Sequence, residues 1–127
     1  MSVLEYSLDD HIAVVTLNRP DSRNALSPEL IIALCDTWDA ILADDSVRVV
    51  VVTSSGGSTF CSGFDLGLSI PLMTGTRTPA DEFDEALVAD SGLFGKATLR
   101  DLDLQRPVIV AANGHAVAGG MEILLAA

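Results

Sequence analysis

The order of apolar and polar residues predicts two strands, a helix and a third strand in the first half of the chain. Two β-branched, apolar runs at residues 3–8 and 11–17 are separated by a pair of acidic residues, a break typical of a hairpin turn. Residues 27–43 then carry apolar side chains at helical spacing. The run 47–53 is almost continuously β-branched, so we expect a strand covered on both faces, as in a parallel sheet.

The start of the predicted helix is well marked. Ser27 provides a capping hydroxyl, Pro28 suits the first helical position, and Glu29 places an acid near the positive end of the helix dipole. We therefore expect this helix to cross from the second strand to the third.

The second half of the chain has a less regular pattern. Residues 71–79 are rich in Thr, Gly and Pro and predict an irregular, mobile loop, while residues 80–104 show an interrupted helical pattern. Residues 107–112 predict a second buried strand, and a last helix begins at Gly119. Strands alternating with helices, without an internal repeat, predict an α/β fold with a parallel sheet. Because the last helix stops after about two turns without a cap, we expect residues 1–127 to be the N-terminal core of one domain, incomplete at its C-terminus.

Composition and charge exclude several classes of protein. The chain has 127 residues, enough for one domain, and 49% hydrophobic residues, too many for a disordered chain. Its net charge of -11 repels nucleic-acid backbones, and any anionic ligand requires local donors. With no membrane-spanning run and no signal-peptide pattern, we expect a cytoplasmic protein without a membrane partner. Cys35 and Cys61, together with two histidines, form no metal-ligand spacing, so no metal site is expected.

Two glycine-containing loops, residues 60–67 and 113–120, each follow a predicted strand and lead toward a helix. Ligands in open α/β sheets bind at the carboxyl ends of strands, and glycine allows close approach to the backbone. An N–H group in the first turn of a helix has no partner within the helix. Two such groups converging from different strands would form an oxyanion hole, although each glycine pair alone is more often a packing or turn feature.

Three ordered motifs in the chain resemble those of the enoyl-CoA hydratase/isomerase family, also called the crotonase family. They comprise residues 17–20 with 24–26, then 60–66, then 107–122. The resemblance implies a ClpP/crotonase-like spiral of ββα units with a parallel sheet, truncated here before its C-terminal helical part. It also implies an acyl-CoA thioester substrate, no cofactor beyond the CoA of that substrate, and a homotrimer or homohexamer.

The resemblance also assigns catalytic roles. The N–H groups of Phe64 and Gly119 match the donors that hold the thioester oxyanion in the family. A backbone donor works with any side chain, so the ring of Phe64 is expected to narrow or line the acyl pocket. Glu122 matches the first of two glutamates that hold and activate water in the hydratases; the second lies beyond this sequence. An acid in the first turn of a helix also has a purely structural explanation, its interaction with the helix dipole.

The substrate-binding residues implied by the resemblance lie in the same loops, and Arg23 is the cation expected to meet a CoA phosphate. The full set comprises Arg23, Ala25, Ser62, Gly63, Asp65, Leu66, Gly67 and Gly120.

Alternative functions stay open at this stage. By the resemblance, the first expectation is an enoyl-CoA hydratase, a lyase that adds water to a 2-enoyl-CoA thioester. The reaction could instead be that of a crotonase-family isomerase, dehydratase, hydrolase or ring-cleaving enzyme, or the chain could be an inactive fragment lacking the second acid. A ClpP-like peptidase would need a nucleophile such as Cys61 or Ser62 with His115, but no G-x-S-x-G motif and no orienting acid accompany them. His11 is expected to be structural. The acidic segment 81–90 is expected to be solvated, with shaping of the acyl pocket as the alternative.

Overall fold

The computed structural model describes residues 2–127, which fold into two sheets flanked by helices. In chain order the elements are β1 (Leu4–Asp9), β2 (Ile12–Leu17), a 3-10 turn (Pro20–Ser22), α1 (Pro28–Leu42), β3 (Val49–Ser54), β4 (Thr59–Cys61), α2 (Ser69–Met73), α3 (Glu82–Ala89), α4 (Leu93–Ala97), β5 (Val108–Val110), β6 (His115–Ala116) and α5 (Gly119–Leu125). The predicted hairpin, the first helix and the α/β alternation are confirmed.

The larger sheet has the strand order β1-β2-β3-β5. β1 is antiparallel to β2, and β2, β3 and β5 run parallel, with Val15, Val52 and Val110 in register across the three strands. The short strands β4 and β6 pair in parallel as a separate sheet. Since β4 follows β3 and β6 follows β5, the chain passes twice from the large sheet to the small one, which is the predicted spiral with its parallel strands.

Helix α1 covers the inner face of the large sheet. Ser27 caps it by accepting a hydrogen bond from the N–H of Leu30 at 3.2 Å, as the sequence predicts. The fully buried Trp38 donates from Nε1 to the carbonyl oxygen of Ala97 at 3.0 Å. Because an indole N–H in a core needs an acceptor, this bond positions α4 against α1.

The expectation that both inner parallel strands are covered on two faces is wrong for residues 2–127. Val50 and Val52 are fully buried on the side of α1, but Ile109 on the opposite face of β5 is 54% exposed. On the same face of β3, Val49, Val51 and Thr53 are only half-buried. A continuous apolar run indicates that both faces of a strand are suited to burial, but it does not show which elements cover those faces.

The segment 71–79 is less irregular than expected, because its first three residues belong to α2. Proline is tolerated in the first turn of a helix, where its missing N–H has no intrahelical acceptor, so Pro71 does not prevent the turn. Leu72 is buried and anchors α2 to the core. Among residues 2–127, no helix has both the length and the apolar surface that crossing a bilayer requires.

The acidic segment is only partly solvated, and the expectation is wrong for Asp84. This carboxylate is buried and accepts two hydrogen bonds from Arg77, each at 2.8 Å, and one from the N–H of Ala80 at 2.9 Å. The hydrogen-bonded guanidinium holds the pKa of Asp84 below its ordinary value. Asp81, in turn, caps α3 by accepting from the N–H of Asp84 at 2.8 Å. These two acids are therefore structural.

Candidate active site

The two glycine loops predicted from the sequence meet in space at Gly63 and Gly119. A Cβ atom added to Gly119 would lie 3.5 Å from the Cα of Gly63. Leu26 holds the first loop from the other side, since its N–H donates to Gly63 at 2.8 Å and its carbonyl accepts from Asp65 at 3.0 Å. The three motifs found in the sequence therefore form one site.

The N–H group of Phe64 has no hydrogen-bond acceptor within residues 2–127. Phe64 forms an isolated parallel bridge with Leu26. In such a bridge the flanking residues, Gly63 and Asp65, make the hydrogen bonds, and the central N–H points away from the partner. The local pairing therefore leaves this donor free for a ligand.

The N–H group of Gly119 is also without an acceptor among the described residues. Gly119 is the first residue of α5, where N–H groups have no intrahelical partner and lie at the positive end of the dipole. The preceding residue, Ala118, has φ 51° and ψ −117°, and the N–H of Gly120 donates to Val117 at 2.9 Å. These angles match a type II′ turn, a conformation disfavoured for alanine, so the backbone is strained next to the free donor.

Glu122 lies in the first turn of α5, three residues after Gly119. Its Oε2 atom is buried and has no hydrogen-bond partner in residues 2–127, while Oε1 lies 3.9 Å from Nη1 of Arg100. A buried carboxylate oxygen without a donor is costly, and native proteins satisfy such atoms with a protein group, a water or a ligand. The arrangement suits a carboxylate that binds a water molecule.

Most of the predicted substrate-binding residues line one cleft of about 540 Å³ beside these donors. Its lining comprises Asp21, Ser22, Arg23, Ala25, Ser62, Phe64, Asp65, Leu66 and Gly67. Two predicted substrate-binding residues, Gly63 and Gly120, lie outside the lining, as do the predicted catalytic residues Gly119 and Glu122. Gly120 packs against Cys61 so closely that a Cβ atom would overlap the Cys61 carbonyl. A larger cavity of about 700 Å³, lined by residues 99–104, 106–108 and 126–127, contains none of the predicted residues.

The carboxylate of Asp65 is occupied by contacts within the protein. Oδ1 accepts hydrogen bonds from the N–H groups of Gly67 and Leu68, each at 2.9 Å, and Oδ2 pairs with Arg19 at 3.2 Å. Arg19 also donates to the carbonyl oxygen of Ala25 at 2.6 Å. Asp65 therefore shapes the loop that carries the Phe64 N–H and connects it to the loop around Ala25.

Asn24 belongs to the motif at residues 24–26, but sequence reasoning gave it no role of its own; in the structure it organises the loop before α1. Its side chain is 1% exposed and accepts from the N–H of Arg19 at 2.8 Å. It also donates to the carbonyl oxygens of Ser55 at 2.9 Å and Thr59 at 3.1 Å. The available signal was an asparagine within a turn-rich segment, because asparagine tolerates the positive φ of 53° found here.

The geometry disfavours a thiol or hydroxyl nucleophile at this site. Cys61 is fully buried, and burial raises the pKa of its thiol to about 11, so no thiolate forms near neutral pH. His115 is exposed, and within residues 2–127 it forms no hydrogen bond with Ser62 or Cys61. The second histidine, His11, contacts the carbonyl oxygen of Ser46 at 2.8 Å, far along the chain from the glycine loops.

Comparison with known proteins identifies the family. The model for the enoyl-CoA hydratase/isomerase family matches residues 8–127. The chain is 36% identical over 119 residues to (E)-benzylidenesuccinyl-CoA hydratase of Thauera aromatica, covering 94% of this chain and 42% of that protein. It is 37% identical over 114 residues to an enoyl-CoA hydratase of Mycobacterium tuberculosis, covering 90% of this chain and 40% of that protein. The chain thus spans about two fifths of the length of these curated relatives.

A solved structure shows the same fold. The carnitinyl-CoA hydratase of Mycobacterium avium superposes with a TM-score of 0.79 at 28% sequence identity, over 100% of this chain and 44% of that one. Together with the family match over nearly the whole chain, this likeness confirms the crotonase-like fold predicted from the three motifs. The chain belongs to the enoyl-CoA hydratase/isomerase family.

Proposed function

We propose that the protein is a lyase that adds water to the double bond of a 2-enoyl-CoA thioester. The observation that carries this proposal is the buried Oε2 of Glu122, one helical turn from the N–H of Gly119; neither atom has a hydrogen-bond partner within residues 2–127. The second free N–H, that of Phe64, belongs to the facing loop. A carboxylate and two unused amide donors are among the groups that hydration of an unsaturated thioester requires.

In the proposed mechanism, the N–H groups of Phe64 and Gly119 form an oxyanion hole for the thioester oxygen. Glu122 holds a water and accepts one of its protons as the water oxygen bonds to C3 of the substrate. Negative charge moves to the thioester oxygen, where the two fixed donors stabilise the enolate. The proton that Glu122 accepted is then delivered to C2 of the enolate, which restores the carbonyl and the Glu122 carboxylate, so that one water has been added across the double bond.

The cleft beside the oxyanion hole is the proposed site for the CoA part of the substrate. Arg23 is the cation in the lining of this cleft; the neighbouring Arg19 is outside the lining and pairs with Asp65. In a chain with a net charge of -11, a local guanidinium is needed to hold a phosphate. Relatives named for benzylidenesuccinyl-CoA and crotonyl-CoA hydration share the thioester and differ in the acyl group. The cleft and the two donors would recognise the CoA thioester, the part that these substrates share.

The proposal includes several finer statements that rest on the family resemblance. No cofactor beyond the CoA of the substrate is invoked, and the protein would act in fatty acid metabolism in the cytoplasm. It would assemble as a homotrimer or homohexamer. Glu122 favours hydration or dehydration over an isomerisation that depends on a later acid alone.

Substituting glutamine for Glu122 tests the proposal, because the change removes the carboxylate and keeps the size of the side chain. We expect hydration of crotonyl-CoA by the full protein to fall by about 100-fold or more, since a general base contributes about 10²- to 10⁴-fold. Binding of a saturated acyl-CoA should be unchanged. Glu29→Gln is the matched control, since Glu29 also lies in the first turn of a helix. Full activity in Glu122→Gln would contradict the assignment.

A further inference from the structure

The ring of Phe64 forms an aromatic pair with a residue far along the chain. Its centroid lies 5.3 Å from that of Phe94, with the ring planes at 75°, an edge-to-face arrangement. Phe94 lies in α4 and is only 6% exposed. Since edge-to-face pairs are favourable and buried rings have few alternatives, the Phe64 ring is held in place from this side.

The Phe64 ring is close both to the oxyanion-hole donor Gly119 and to a residue that lines an apolar cavity. Its Cε2 atom is 3.6 Å from where a Cβ atom on Gly119 would be. The same ring packs against Phe94, which lines a cavity of about 150 Å³ that Phe64 itself does not line. The cavity lining comprises Leu72, Met73, Leu87, Val88, Ser91 and Phe94, with no charged side chain. An apolar lining of this kind favours the alkyl part of an acyl chain.

We propose that the Phe64–Phe94 pair restricts the enzyme to short acyl chains. This inference rests on the proposed function, since it takes the thioester oxygen to bind the N–H groups of Phe64 and Gly119. The backbone of Phe64 would then hold the thioester while its ring blocks the path toward the apolar cavity. A four-carbon chain ends before the blocked path, and a ten-carbon chain would have to displace the ring pair.

Chain-length profiles of aromatic variants test this restriction. We would measure kcat/KM for crotonyl-CoA and 2-decenoyl-CoA with the full protein, Phe64→Ala and Phe94→Ala. The ratio of decenoyl to crotonyl activity should rise at least about tenfold in Phe64→Ala, because apolar pockets discriminate by this order when a few methylenes are admitted or excluded. Phe94→Ala should raise the ratio to a smaller extent, because the Phe64 ring remains and only loses its support.

The control is Phe83→Ala, which removes a half-buried ring from α3 that lines neither the cleft nor the apolar cavity. The ratio of decenoyl to crotonyl kcat/KM in Phe83→Ala should equal that of the unmodified protein. If Phe64→Ala fails to fold, as judged by thermal unfolding, Phe64→Leu decides the question with an intermediate rise. An unchanged ratio in the folded Phe64 and Phe94 variants, or an unmodified protein that prefers the ten-carbon substrate, would overturn the inference.

A binding measurement separates this inference from the proposed function. Calorimetry gives the ratio of Kd values for butyryl-CoA and decanoyl-CoA without any reaction. If the unmodified protein hydrates no enoyl-CoA, the proposed reaction is wrong, but the restriction still predicts weaker binding of the longer chain and a shift in its favour in Phe64→Ala. Equal Kd ratios in both proteins would refute the restriction on acyl size.

Discussion

Replacing Gly63 with alanine probes the contact on which the candidate active site depends. Gly63 has φ +95°, a backbone conformation that costs a residue with a Cβ atom about 1–2 kcal/mol. The new Cβ atom would lie 3.0 Å from both the Ala118 Cβ and the Val117 carbonyl oxygen, and 3.1 Å from the Gly119 nitrogen. Overpacking of this kind adds about 1–3 kcal/mol. We therefore expect Gly63→Ala to lower the free energy of unfolding by about 3 kcal/mol.

Two other glycines separate the two contributions. Gly75 has φ +80° with no atom within 4 Å of an added Cβ, so Gly75→Ala should show the backbone cost alone, about 1–2 kcal/mol. Gly57 has neither a positive φ nor a neighbour within that distance, and Gly57→Ala should change the free energy of unfolding by no more than about 0.5 kcal/mol. The difference between Gly63→Ala and Gly75→Ala then measures the contact between the two loops.

Urea denaturation followed by circular dichroism measures the free energies of unfolding of the three glycine variants. With an m-value of about 2 kcal/mol/M, the midpoint for Gly63→Ala should fall by about 1.5 M. The activity of Gly63→Ala should fall together with its stability, because pushing the two glycine loops apart moves the N–H groups of Phe64 and Gly119. A Gly63→Ala midpoint equal to that of Gly75→Ala would refute the claim that the loops are in contact.

Two further predictions follow from the shifted pKa values. Arg77 holds the pKa of Asp84 in the folded protein below the ordinary 3.8. As pH falls, Asp84 is therefore protonated in the unfolded state before it is protonated in the folded state. The stabilisation that this carboxylate provides is complete above pH 3.8 and is lost as pH drops through the folded-state pKa. Asp84→Asn should therefore be less stable at pH 7 and flatter between pH 5 and 3 in denaturant titrations, and parallel curves would contradict this. Burial raises the pKa of Cys61 to about 11 and of Cys35 to about 12, so a thiol reagent at pH 8 should label neither until denaturant is added. Prompt labelling of the native protein would reopen the nucleophile hypothesis.

Local signals in the sequence were sufficient for the elements that frame the site. The β-branched runs and the acidic break predict the hairpin, and the cap at Ser27 predicts the start of α1, because each depends on residues a few positions apart. The order of three motifs was enough to indicate the family, which the family match over residues 8–127 confirms. Glycine at position 63 also reports a local requirement, a positive φ that a side chain disfavours.

The contacts that give the site its chemistry were decided only by the tertiary structure. No pattern in the sequence shows that Leu26 pairs beside Phe64 and leaves its N–H free, or that the ring meets Phe94 thirty positions later. The burial of Asp84 was likewise mispredicted, since an acidic run looks solvated until Arg77 is brought to it. Such contacts join residues that are distant in the chain and depend on ångström-scale distances. Hydrophobic periodicity reports which face of an element is buried, and it carries no information on what that face meets.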